Sequence, residues 1–400
     1  MRAVTIVLLG AAALGACRPS RPDTPIAPAV QNETPSPDRT AGTAAVAVQS
    51  GALAGGPREG SSAGGREAAS PATKPAESRS PSNPGAAVET APTWDIAVAP
   101  YETHDRVEFY VRRYTGPARS WAKERLARGT RYEAMIREKL RAGGVPEDFY
   151  YIAFVESGFD PQVSSRAAAV GMWQFMAQTA KGVGLRVDWW VDERRDPVRS
   201  TEAAARFLRY LNDQFESSYL AAAAYNGGPG RVARGLTRYE EELEGTDGED
   251  RFFALSDQDA LPRETREYVP QIIAAALIGK DPARYGMSFE PREPFAYDSV
   301  EVPAMTSLPA IARAAGTTIA AIRELNPHLI RGVTAPRRTS TVRIPVGSRE
   351  AFERKFGALT DTERSGVRRV QLEKVTSLAN AAKQFSTTST AIRTFNPNLK

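Results

Sequence analysis

Cysteine and histidine are almost missing from this 400-residue sequence. Cys17 is the only cysteine, and His104 and His328 are the only histidines, far apart in the chain. One thiol excludes an intrachain disulfide framework, and two distant histidines argue against a Cys/His metal site. No cofactor or metal is expected, and the fold must be held by its apolar core. Long apolar runs are missing too. The longest, Ala3–Ala16, is about 14 residues, short of the roughly 20 that a membrane-spanning helix needs. Between residues 18 and 93 there is no aromatic side chain, and seven positive charges balance seven negative ones. Rich in Pro, Ala, Gly, Ser and Thr, this stretch lacks the apolar surface to offset its chain entropy. It reads as a disordered tether reaching on the order of 50 Å.

The remaining charge is uneven. Residues 301–400 carry 16 Lys/Arg against 7 Asp/Glu, and residues 94–300 carry 28 against 33. A basic C-terminal part fits an anionic partner, such as nucleic acid or a cell-wall polymer, and equally a solvated basic face. At the other end, Arg2 followed by an apolar run and small residues has the form of a secretory leader. Leu14-Gly15-Ala16-Cys17 resembles a bacterial lipobox, which implies cleavage before Cys17 and a lipid on its sulfur. No Asp follows Cys17 to argue for inner-membrane retention. The expected address is the periplasmic face of the outer membrane, and export excludes nucleic acid as a partner.

From Trp94 onward, aromatics and a 3.6-residue apolar period predict helices. They are placed at 131–141, 146–157, 200–215, 217–226 and 262–280. Pro146 is expected in a first turn, and Ser200 or Thr201 as an N-cap. In 146–157, Phe149, Ile152, Ala153 and Glu156 fall at i, i+3, i+4 and i+7. Glu156 thus ends a buried stripe just before Gly158. Desolvation and the negative end of the helix dipole both raise a carboxyl pKa there, which suits a general acid. Spacing alone leaves open a structural ion pair with an arginine such as Arg166. Trp173 and its neighbours Met172 and Met176 also read simply as core, and Asn226-Gly227-Gly228 as a helix C-cap.

Three motifs occur in order: Glu156-Ser157-Gly158-Phe159, Gly171-Met172-Trp173-Gln174-Phe175-Met176 and Ala224-Tyr225-Asn226-Gly227-Gly228. Together they resemble the signature of family 1 lytic transglycosylases, whose fold is that of goose-type lysozyme. Val191–Asp196 and Leu261–Pro270 look like the membrane-bound lytic transglycosylase D subgroup. The resemblance implies a mainly α, lysozyme-like catalytic domain over 94–290, with peptidoglycan glycan strands as substrate. It implies Glu156 as the single catalytic acid, and Ser165, Gln174, Met176, Tyr225 and Asn226 as sugar-contacting residues. It also implies that the muramic acid 6-hydroxyl, rather than a second carboxylate, attacks C1 and leaves a 1,6-anhydro end. Most glycosidases use two carboxylates, and the direction of Asp160, the nearest in sequence, is unreadable between Gly158 and Pro161.

Ser307–Leu329 and Ser377–Leu399 repeat at an offset of 70, with 11 of 23 positions identical. Each copy follows a short alternating run, which implies a strand–helix–helix–strand unit. The unit resembles the LysM module, which binds N-acetylglucosamine-containing glycans. Met305-Thr306 and Val375-Thr376 stand where that module has Gly-Asp, which bears on glycan affinity, and the other reading of these small α+β copies is a packing subdomain. The expected layout is a leader with lipobox over 1–17, the tether over 18–93, the catalytic domain over 94–290, and a LysM-like module over 296–348. A linker at 349–366 and an incomplete second module at 367–400 follow. The expected protein is a monomer, lipid-anchored through Cys17. The alternatives are a muramidase that uses water and a non-catalytic peptidoglycan-binding lipoprotein.

Overall fold

The computed structural model describes residues 4–9, 93–365, 367–372, 376–385, 387–396 and 399. Cys17 and the tether up to residue 92 lie outside the described residues. The described chain is mainly helical, as expected.

The helical body runs through α1 (Asp105–Thr115), α2 (Arg119–Thr130), α3 (Glu133–Ala142), α4 (Tyr150–Glu156), α5 (Ala177–Gly182), α6 (Pro197–Phe215), α7 (Ser218–Gly227), α8 (Pro229–Arg238), α9 (Asp250–Asp257) and α10 (Arg263–Lys280). Within 93–297 the extended pairings are isolated bridges, such as Ser164 with Val170 and Val170 with Phe175. Helix α10 is the hub, packing against α1, α4 and α7. Eleven of its side chains are buried, from Thr265 to Ile278. Gly279 lets it close on α4, because a Cβ there would lie 2.6 Å from the Tyr151 ring.

Several local expectations are corrected. The segment 146–157 is not one helix: a 3-10 turn, Glu147–Phe149, precedes α4, and Pro146 stands outside it as the cap. Nor is α4 buried on one stripe. Tyr150, Tyr151, Ile152, Ala153 and Phe154 are all buried, because α2, α3 and α10 enclose it. A helix apolar all round is a core helix, and large apolar side chains such as Ile152 and Phe154 each contribute roughly 1.5–3 kcal/mol. Helix α6 starts earlier than expected. Its cap is Asp196, which accepts from the Val198 and Arg199 N–H groups, with Pro197 in the first turn. Ser200 and Thr201 lie buried inside the helix, and their hydroxyls donate back to the Asp196 and Pro197 carbonyls at 2.6 Å each.

The first repeat has the expected unit. β2 (Asp298–Val302) pairs antiparallel with β3 (Ser340–Ile344), Val300 opposite Val342. Between them lie α11 (Leu308–Ala315) and α12 (Ile319–Leu325), capped by Ser307 and Thr318. The segment 349–366, read from sequence as a linker, instead contains α13 (Arg349–Gly357) and α14 (Asp361–Ser365). Phe352 and Phe356 of α13 join Ile311, Ile322 and Val342 in the module's core. The second copy supplies β4 (Val367–Leu372), α15 (Leu378–Gln384) and α16 (Ser389–Phe395). The strand beside β4 is β1 (Val4–Leu9), from within the stretch read as a leader.

The first repeat is joined to the helical body by buried charge. Arg343 of β3 donates to both oxygens of Asp196, 2.8 Å each, and His328 Nδ1 lies 3.0 Å from the same carboxylate. Burial pushes the Asp196 carboxyl up, but His328 and Arg343 outweigh it and hold it well below the usual range. Around this cluster Val191 packs into the module's core and Leu325 into the body's.

Candidate active site

Glu156 is the last residue of α4, and the turn after it is strained. Gly158 and Phe159 both have positive φ, 62° and 61°. For a phenylalanine this costs on the order of 1–3 kcal/mol. Packing compensates: the Phe159 ring is buried 4.5 Å from that of Tyr150, and its N–H donates to Ala153 O at 3.1 Å. The buried Ser157 hydroxyl donates to Met172 O at 2.8 Å, tying this turn to the second motif.

Glu156 is half-buried as a residue, and its carboxyl is enclosed by protein. Burial is the main cause that raises its pKa from 4.5 to about 7. The Tyr268 hydroxyl opposes this by donating to Oε1 at 2.5 Å, and the charge of Glu264 adds to the rise. Among the described residues no arginine or lysine contributes, so the ion-pair account with Arg166 does not hold. Asp160 is turned to other work, accepting from the Gln162 N–H at 2.8 Å. Burial first, then the Glu156 charge, pushes the Tyr225 and Tyr268 phenols well above their ordinary value. Both stay protonated and remain hydrogen-bond donors.

The second motif is a tight loop against this carboxyl's neighbours. Gly171 has φ 85°, and a Cβ there would lie 1.9 Å from the Arg194 carbonyl oxygen. Gln174, also at positive φ (48°), folds back so that Nε2 donates to Gly171 O at 2.7 Å. Met172 and Trp173 are core, as their bland reading had it, both fully buried. Trp173 Nε1 donates to Thr201 Oγ1 at 2.9 Å, and its carbonyl accepts from the Tyr225 hydroxyl at 2.7 Å. Met176, by contrast, is 45% exposed. Ser165 is exposed in the preceding loop, its Oγ accepting from Ala169 N at 3.1 Å. Asn226, in the middle of the third motif, accepts from the Thr265 hydroxyl at 2.8 Å.

Glu156 and Tyr225 thus share one electrostatic environment, with Gln174 linked to it through the Trp173 loop. Ser165 and Met176 stand at the surface, and among the described residues neither is hydrogen-bonded to Glu156. Sequence reasoning missed Tyr268, Thr265 and Glu264 as site residues. They lie within the noted Leu261–Pro270 stretch, but their bearing on Glu156 and Asn226 comes from α10 crossing α4 and α7. Two concavities lie away from Glu156. One, of about 600 Å³, holds the Asp148–Lys280–Arg137 ion network, and one of about 650 Å³ runs along α8.

Residues 133–245 match the family described as the transglycosylase SLT domain, and residues 296–359 match that described as the lytic transglycosylase MltD, LysM-like domain. These matches bear out the resemblance drawn from the motifs. The membrane-bound lytic murein transglycosylase D of Escherichia coli K12 is 30% identical over 225 residues, 56% of this chain and 48% of that protein. The soluble lytic murein transglycosylase of the same strain is 27% identical over 150 residues, 36% of this chain and 22% of that protein. The chain therefore spans about half the length of the first relative. Among solved structures, the 70 kDa soluble lytic transglycosylase of Escherichia coli matches at 26% identity and a TM-score of 0.32, covering 40% of this chain and 25% of that one.

Proposed function

We propose that the protein is a lytic transglycosylase that cleaves the bond between N-acetylmuramic acid and N-acetylglucosamine in peptidoglycan and leaves 1,6-anhydro-muramic acid ends. The observation that carries this is Glu156. It is a desolvated carboxyl with a pKa raised to about 7, bonded to the protonated Tyr268, on a residue that is only half-buried. Near neutral pH such a group is divided between acid and carboxylate and can act as both in turn. The neutral acid gives its proton to the glycosidic oxygen as the C1–O4 bond breaks. The resulting carboxylate takes the proton of the muramic 6-hydroxyl as that oxygen bonds to C1. An attack within one sugar carries little ordering cost, which favours it over capture of water. Tyr225, whose phenol feels the Glu156 charge, would hold the sugar together with Gln174 and Asn226, with Ser165 and Met176 at the outer edge.

A second reading, hydrolysis by water, draws on Glu264. It is the only carboxylate among the described residues whose charge bears on Glu156. The deciding experiment is mass spectrometry of muropeptides released from purified peptidoglycan by the wild type, Glu156→Gln and Glu264→Gln. Anhydro ends from the wild type and Glu264→Gln, with none from Glu156→Gln, are expected. Reducing ends that vanish in Glu264→Gln would establish a muramidase. No product from any of the three would favour the wall-binding lipoprotein.

For localisation, a lipid on Cys17 after removal of residues 1–16 would hold the enzyme at the periplasmic face of the outer membrane, with the tether giving it reach. Among the described residues no helix is long and apolar enough to cross a membrane.

A further inference from the structure

Most arginines of the helical body meet a carboxylate: Arg106 meets Asp257, Arg137 meets Glu133 and Asp148, Arg194 meets Asp192, and Arg209 meets Asp213. Helix α8 differs. Arg231, Arg234 and Arg238 fall at i, i+3 and i+7, so they share one face. All three are exposed, and none has a carboxylate within ion-pair distance among the described residues, although Glu240–Glu242 follow directly. They line the groove of about 650 Å³, whose opposite bank is Asp259 and Ala260. Gly235 makes the floor: it is buried, and a Cβ there would press on Ala260 and Leu255 at 3.1 and 3.2 Å. Three uncompensated guanidinium groups along a concave wall suit planar anions, above all carboxylates.

Both banks are joined by short chain segments to residues of the candidate site. Arg231 is five residues past Asn226, and Asp259 is six before Thr265, whose hydroxyl bonds Asn226. Tyr225 and Tyr268, the neighbours of Glu156, lie on the same two helices, α7 and α10. From Arg231 to Arg238 the helix rises about 10 Å, the extended length of about three residues. In peptidoglycan the muramic acid whose bond is cut carries, on its lactyl group, a short peptide with glutamyl and terminal carboxylates. We infer that the α8 groove is a subsite for the carboxylates of this peptide stem, resting on the function proposed above.

The test uses the full chain as wild type, as an Arg231→Gln/Arg234→Gln/Arg238→Gln triple variant, and as the matching triple lysine variant. Cleavage is measured on intact peptidoglycan strands and on strands stripped of stems by an amidase. Binding of a free synthetic stem tripeptide is measured by calorimetry. Charge-assisted contacts of this kind are worth at least about tenfold. The ratio of kcat/KM on stemmed to stripped strands is expected to fall about tenfold or more in the glutamine variant, with a similar loss of tripeptide affinity. The lysine variant should recover part of both. An unchanged ratio with unchanged tripeptide binding overturns the inference, as does an equal loss on both strands. Retention of a phosphate polymer by the arginines without tripeptide binding also overturns it. If the wild type cuts neither strand yet binds the tripeptide through the arginines, the transglycosylase reading fails and the subsite stands.

Discussion

Replacing Glu156 by glutamine should make the protein inactive and, above neutral pH, more stable. The carboxyl has a pKa of about 7 in the fold against an ordinary 4.5, so the native state binds its proton more tightly than the unfolded chain. Between those values the folded protein holds more protons, and stability falls as pH rises. At 1.36 kcal/mol per pH unit, the wild type loses about 3 kcal/mol between pH 4.5 and pH 7 through this one group. Glutamine keeps an oxygen for the Tyr268 hydroxyl and has no charge to desolvate. Its advantage should therefore be near zero at pH 4.5 and grow to about 3 kcal/mol by pH 8, or about 6–12 °C in Tm for a body of this size. Urea unfolding of both proteins at pH 4.5, 6, 7 and 8 measures it. A difference that does not change with pH would show that Glu156 titrates normally, and the account of a desolvated acid would be wrong.

Further outcomes follow from the same structure. The Tyr268 bond lowers the Glu156 pKa, so Tyr268→Phe should shift the alkaline limb of the kcat/KM profile upward by about one pH unit, since bonds to charged groups are worth roughly 1.5–3 kcal/mol. An unmoved limb refutes that role. Gly171→Ala should cost about 3 kcal/mol or more, because its Cβ would meet backbone 1.9 Å away at a positive φ. Calorimetry showing a loss below about 0.5 kcal/mol counts against it. Asp196→Ala leaves Arg343 buried without its partner and should cost about 3–5 kcal/mol at pH 7. Because the Asp196 carboxyl is held below its ordinary value, its contribution is full above about pH 4 and is lost as pH falls further. Denaturation of both proteins at pH 7 and pH 2.5 should therefore show the gap narrowing in acid.

Much of this protein was legible in one dimension. The helical period, the Asn226-Gly227-Gly228 stop and the 70-residue repeat are local patterns, and they placed helices near α3, α4, α6, α7 and α10 and the strand–helix–helix–strand unit. Three apolar residues on its face and Gly158 after it made Glu156 a candidate, but it was the resemblance of the three motifs that marked it as the acid. Where local signals compete, the sequence misled: Ser200 and Thr201 are good caps, but Asp196 before Pro197 is a better start, and 349–366 looked polar enough to be a linker. Its two phenylalanines are seven and three residues into that segment, and only the module's open core shows what they fill.

By itself the sequence determined which residues could carry acid chemistry and which segments repeat, since both follow from side-chain type and short-range spacing. Only the tertiary structure decided that Glu156 is a raised acid rather than half of an ion pair. Desolvation and the Tyr268 hydroxyl reach it from chain 112 residues away. It likewise decided that the first repeat is welded to the helical body through Asp196 and Arg343, 147 residues apart. Burial and long-range charge are properties of a closed surface, and no window along the chain contains them.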